Sequence, residues 1–152
     1  MNIILGIITN KFFLAPMVSW IVAYLLKVVI DSVRSGFCKE RIVGGGGMPS
    51  SHAALVTALV CIVVALKGAD SFEFAIALFF GLTAMYDSRR VRFETQRQGR
   101  ALNNLNEERS EEGKQPLDVV KFREKVGHTI PELLLGAVIG VICSIIVYHI
   151  QF

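Results

Sequence analysis

Long apolar blocks, separated by short polar turns and one extended polar stretch, set the plan of this chain. Residues 12–30, 51–66 and 130–150 are almost continuously apolar, and each approaches or meets the roughly 20 residues that an α-helix needs to cross a bilayer. Residues 72–86 form a shorter block. The tight turn Lys67-Gly68-Ala69-Asp70-Ser71 leaves the chain little option but to return, so this block also reads as a span. The opening residues 1–8 are apolar but short, and they lack the basic start and small-residue cleavage site of a signal peptide. They read as an interfacial or re-entrant segment. The pattern predicts an all-α fold: a polytopic membrane bundle of about four transmembrane helices, one domain over residues 1–152, with a polar loop over 87–127.

Composition agrees with this plan. Hydrophobic residues make up 53% of the 152, too many for an ordinary soluble domain, while the 19% that are charged collect in the connections. Because four spans alternate sides, the stretch after the first span and the 87–127 loop lie together, and they hold every lysine and arginine except Lys11, Lys27 and Lys67. The positive-inside rule places those basic connections in the cytoplasm and both termini opposite, in a bacterial inner membrane or an organelle membrane. Cys38, Cys61 and Cys143 fit neither a metal spacing nor a disulfide framework and read as packing residues; no metal or other cofactor is implied. The basic loop lacks interleaved stacking aromatics, which argues against nucleic acid as a partner. A homo-oligomer is allowed.

Candidate chemistry gathers at the starts of two spans. Gly44 to Gly47 free the backbone, and Met48-Pro49-Ser50-Ser51-His52 then supplies helix-start residues directly before the second span. A helix N-terminus presents unpaired N–H groups and the positive end of the helix dipole, so Gly47, Ser50, Ser51 and His52 placed there suit an anionic oxygen cluster such as phosphate. A flexible connector with an ordinary N-cap is the alternative. Near the end of the first span, Lys27 either snorkels to the head groups or serves a site, and Arg34, two turns on, can share its face. Lys39 and Arg41 lie near the membrane surface, for lipid contact or for topology.

Beyond the third span, residues 87–103 are rich in helix formers and extend that helix out of the membrane, while residues 104–118 read as an exposed loop. Asp87, beside several arginines, is either a paired structural charge or a site residue. The last span is entered through Gly127-His128-Thr129-Ile130-Pro131-Glu132, where Pro131 is tolerated only in a first turn, so the helix begins near Thr129. Glu132 then reaches His128, either to orient its ring and raise its basicity or merely to cap the helix. Two spans therefore each present a histidine at an N-terminus, on the same side of the membrane.

Lys27 with Arg34, Pro49-Ser50-Ser51-His52, and His128 with Glu132 resemble the three ordered motifs of the phosphatidic acid phosphatase type 2 superfamily, which includes vanadium haloperoxidases. The likeness is nearest to its divergent branch of small bacterial and plant membrane proteins, in which Gly-Gly-Met-Pro-Ser-Ser-His is a hallmark; Tyr86-Asp87, Val91-Arg92, Gln98, Leu102-Asn103 and Gly127-His128-Thr129 are similar too. The resemblance implies that Lys27 and Arg34 bind phosphate oxygens, that Ser50, Ser51 and backbone amides complete the cradle, and that His52 protonates the leaving alkoxide. It implies that His128 attacks phosphorus, oriented by Glu132 where aspartate is usual, with Asp87, Gln98 and Asn103 in support. Three places depart from the pattern. Ser35 follows Arg34 where the superfamily has proline, Ser51 stands where it has glycine, and Phe122 stands where the third motif carries arginine. Arg123, Arg92 and Arg41 are the candidates to supply that missing cation.

The sequence thus leads to a metal-independent phosphohydrolase acting through a phosphohistidine at the cytoplasmic face, on membrane lipid phosphates or polyprenyl (di)phosphates. A non-catalytic lipid-phosphate binder or carrier, and a structural subunit that uses its polar residues to hold partner helices, are the alternatives.

Overall fold

A computed structural model describes residues 3–35, 47–115, 121–122 and 127–151, the side chains of residues 3, 4, 34 and 35 excepted. Among the described residues the regular structure is helical throughout: α1 (Ile3–Ile8), α2 (Lys11–Ser35), α3 (Ser51–Lys67), α4 (Phe72–Tyr86), a π-helical turn (Asp87–Val91), α5 (Arg92–Glu111) and α6 (Ile130–His149). Two stretches, Lys11–Val33 and Ile130–His149, are long and apolar enough to cross a membrane, and Ser51–Lys67 is a shorter apolar helix. The opening segment is a single short helix with an exposed outer surface.

Local chemistry fixes the helix ends. Asn10 starts α2, its side-chain oxygen accepting the N–H of Phe12 at 2.9 Å. Ser50 caps α3 by accepting from Ala53 N at 3.3 Å, and Ser71 caps α4 by accepting from Phe74 N at 3.2 Å. Between them Gly68, at φ 89°, makes the reversal that the tight turn requires. Thr129 and Glu132 form a capping box at the start of α6, with Pro131 in the first turn.

Helix α3 is the hub, packed against α2, α4 and α6. Toward one end Ala15, Ile62, Val63, Ala77 and Val147 are buried together; toward the other, Ala23, Ala54, Ile139 and Cys143. Small side chains let the backbones approach. On α2 the buried positions Ala15, Ser19, Ala23 and Lys27 recur every fourth residue, so one small-residue stripe ends on a buried lysine. On α6 a Cβ at Gly136 would collide with the Ser50 carbonyl oxygen, and one at Gly140 would come 2.5 Å from the Ala54 carbonyl oxygen. These glycines form a G-x-x-x-G pair of the kind that brings apolar helices into direct backbone contact. Large apolar residues face outward, among them Phe79 at 69% and Ile146 at 57% exposure, as expected of a surface turned toward lipid.

One expectation is corrected. Residues 104–111 are helical and not loop, because α5 continues to Glu111; its Asn-, Glu- and Arg-rich sequence is mostly polar, yet acceptable in a helix extending away from the bundle. From Phe72 the chain passes without interruption through α4, the π turn and α5.

Close backbone packing at α6 has a measurable consequence. Gly136→Val should lower the melting temperature of the detergent-solubilised protein by the equivalent of about 1–3 kcal/mol, the usual cost of overpacking. Gly6→Ala, whose new Cβ meets nothing within 4 Å, should leave it unchanged or slightly raised. Equal melting of Gly136→Val and the parent protein would contradict the packing described.

Candidate functional site

The N-termini of α3 and α6 are joined by a backbone hydrogen bond, Ser50 N–H to the Glu132 carbonyl at 3.0 Å. That contact sets the two histidines side by side, with ring centroids 6.2 Å apart and ring planes inclined at 57°. His128 Nδ1 lies 3.1 Å from Glu132 Oε2, and the same oxygen accepts the Thr129 N–H at 3.0 Å. The carboxylate therefore caps the helix and orients the imidazole at once, with Nδ1 carrying the proton and Nε2 keeping its lone pair. His128 Nε2 and His52 Nδ1 are both buried without a hydrogen-bond partner among the described residues. Unsatisfied buried ring nitrogens are costly, and both of these remain available to a polar ligand.

A π turn holds His128 from the other side. In an uninterrupted α-helix the N–H of Arg92 would bond the Ser88 carbonyl; here it bonds Asp87 O, and the Ser88 carbonyl accepts the N–H of His128 at 3.2 Å. Ser88 itself is buried, its hydroxyl donating to Met85 O at 3.0 Å. Gln96 Oε1 accepts the N–H of Gly127 at 3.4 Å, and a Cβ at Gly127 would press on the backbone of Phe93 at 3.0 Å, so the segment before His128 lies tight against α5.

Cations surround the pair. Lys27 is 5% exposed, which removes the snorkelling alternative; its aliphatic stem packs against Gly47, where a Cβ would come within 2.7 Å of Lys27 Cε. Gly47 has φ 136° and also neighbours the Asp31 carboxylate, a residue the sequence pattern had not singled out. Arg92 Nε sits 3.4 Å from Asp87 Oδ2. Burial lowers the His128 pKa below its ordinary 6.5; hydrogen bonding and charge from Glu132 oppose this, and the positive charges of Lys27 and Arg92 add to the lowering. The same two cations, with Asp87, act electrostatically on His52. His128 is therefore neutral at neutral pH.

The other expected residues are distributed as follows. Ser50 is fully buried with its hydroxyl engaged in the cap, and Ser51 is half-buried at the first helical position. Asn103 makes paired hydrogen bonds to the backbone of Phe122, at 3.0 and 2.9 Å, and so ties α5 to the chain leading to α6. Gln98 is exposed on α5, whereas Gln96 faces the His128 segment. Arg41 and Arg123 lie outside the described residues, and of Arg34 only the backbone is described, at the end of α2. No group of three His, Cys, Asp or Glu side chains comes together as a metal site would require, among the described residues.

A cavity of about 930 Å³ opens beside His128, between the π turn, α5 and the start of α6. Its walls include Met85, Tyr86, Arg89, Arg90, Phe93, Gln96, Arg100, His128 and Leu133; His52 and Lys27 lie outside them. His128 is thus shared between the two-histidine cluster and this cavity.

Comparison with known proteins adds an independent result. Residues 8–143 match the family described as the Divergent PAP2 family. An uncharacterized membrane protein of Bacillus subtilis, YuiD, is 31% identical, over 94% of this chain and 97% of the relative. No solved structure matches.

Neutral His128 has a pH signature. In an NMR titration of ring-labelled protein its midpoint should fall below 6.5, and Glu132→Gln should move it lower still, because the carboxylate is what holds it up. A midpoint at or above 6.5, or an upward move in the variant, would contradict the arrangement.

Proposed function

The chain belongs to the Divergent PAP2 family and is a helical membrane protein, and from that premise we propose that it is a membrane-embedded, metal-independent phosphohydrolase of lipid phosphates or diphosphates. The observation that carries the proposal is His128, with Nδ1 held by Glu132, Nε2 unpartnered among the described residues, and a second imidazole whose ring centroid is 6.2 Å from its own.

Each residue has a role in the proposed reaction. His128 Nε2 attacks phosphorus, the bond from phosphorus to the lipid oxygen breaks, and His52 gives its proton to the departing oxygen. Water then attacks the phosphohistidine with His52 taking its proton, the N–P bond breaks, and inorganic phosphate leaves. Lys27 and the N-terminus of α3 neutralise the phosphoryl oxygens. Arg92, whose charge reaches both histidines, stands in for the arginine replaced by Phe122. Such a fixed cationic surround stabilises charge spread over three phosphoryl oxygens, and it adds to the burial that keeps the nucleophile neutral.

The proposed placement has four spans, α2, α3, α4 and α6, with the histidine ends and the basic segments in the cytoplasm and both termini opposite. The excess of Lys and Arg at that end supports it. Phe122 in place of the third-motif arginine supports a second reading, a lipid-phosphate binder or carrier that keeps the cradle without turnover.

Phosphate release from a panel of lipid phosphates by purified protein tests both. Release should persist in EDTA, be blocked by vanadate, and fall roughly 100-fold or more in His52→Ala and in His128→Ala. Unchanged rates in either variant would refute the mechanism. A folded protein that binds the lipids and releases nothing would establish the binder.

A further inference from the structure

The cavity beside His128 has a cationic wall with no anion of its own left to answer it. Arg89 and Arg90 line it, both are exposed, and neither has a carboxylate partner among the described residues. Their surroundings differ in this respect: Arg92 pairs with Asp87 at 3.4 Å, and Arg97 engages Glu94, a carboxylate of this same wall, at 3.4 Å. Glu132, the other wall carboxylate, is committed to His128 and Thr129. What remains is positive charge facing an open volume, above the apolar side chains of Tyr86, Phe93 and Leu133.

Position makes that charge relevant to the reaction. The Ser88 carbonyl bonds the N–H of His128, and Arg89 and Arg90 are the next two residues, with successive Cα atoms about 3.8 Å apart. The π turn that frees the Ser88 carbonyl for His128 therefore also carries Arg89 and Arg90, which share with His128 the lining of a cavity that His52 and Lys27 do not line. Guanidinium binds phosphate through paired N–H donors, and an apolar floor below suits the first carbons of a lipid chain.

We propose that Arg89 and Arg90 form a second anion subsite, which holds a further phosphoryl group on the lipid that presents its reacting phosphate to His128. The occupant is an amphiphile with two linked phosphoryl groups, its chain lying along Tyr86, Phe93 and Leu133. The inference rests on the phosphate site at His128, and it concerns binding, so it is read separately from turnover.

The test uses the full chain in nanodiscs of uncharged lipid and compares binding of farnesyl diphosphate, farnesyl monophosphate and inorganic diphosphate. The parent protein should bind farnesyl diphosphate at least about tenfold more tightly than the monophosphate, and inorganic diphosphate more weakly than farnesyl diphosphate. In Arg89→Gln/Arg90→Gln the preference between the two lipids should vanish while monophosphate binding persists; Arg109→Gln, at the far end of α5, should change nothing. Both substituted residues are exposed, and an unchanged melting temperature confirms the fold. Equal binding of both lipids by the parent protein, or equal weakening of both in the double variant as a merely basic surface would give, overturns the subsite. Inorganic diphosphate binding as tightly as farnesyl diphosphate overturns the lipid assignment. Should the preference hold in a protein that releases no phosphate, the subsite stands and the hydrolase reading falls.

Discussion

Everything at the candidate site depends on two helix N-termini being brought into backbone contact. The Ser50 N–H reaches the Glu132 carbonyl only because Gly136, one turn beyond Glu132 on α6, has no side chain to strike the Ser50 carbonyl. Gly140 repeats the condition one turn further along, against Ala54. Inside a bilayer, where apolar faces gain little by leaving lipid for one another, close packing of small residues and satisfied backbone groups are what hold helices together. The glycines that stabilise the bundle are therefore the same ones that set His52 against His128.

The electrostatic consequence follows from burial. Two helix dipoles, Lys27 and Arg92 all direct positive potential at a small volume containing two imidazoles, while Glu132 is engaged with His128, Asp87 pairs with Arg92, and the Asp31 carboxylate lies beside Gly47. At His128 this environment disfavours an imidazolium, and the same potential favours an anionic group beside it. His128 is thus a neutral base set in a positive potential that suits an anion, without itself carrying charge.

Much of this was legible in the sequence, for identifiable reasons. Apolar blocks and N-capping residues located the helices, and Pro131 fixed the start of α6 to within a residue of Thr129, since proline is tolerated only in a first turn. The juxtaposition of His128 and Glu132 followed from their spacing of four. The G-x-x-x-G pair at Gly136 and Gly140 was also present to be read, and its significance emerges once α6 is seen against α3. Less accessible was the π turn: Asp87–Val91 carries no proline or glycine to mark it, and its effect is to redirect one carbonyl. The helical extension to Glu111 was obscured by polar composition, which a helix projecting from the bundle accommodates as readily as a loop. The contact of Lys27 with Gly47 joins residues twenty positions apart in different segments, beyond the reach of any local pattern.

The central claim is that His128 is the nucleophile and that Glu132 determines which of its nitrogens reacts. Mass spectrometry and phosphorus NMR of protein quenched under alkaline conditions during exposure to a lipid phosphate test it most directly. The account predicts a phosphoryl group on Nε2 of His128, since Nδ1 is occupied by the carboxylate. A phosphoryl group on Nδ1, or on His52, would contradict it.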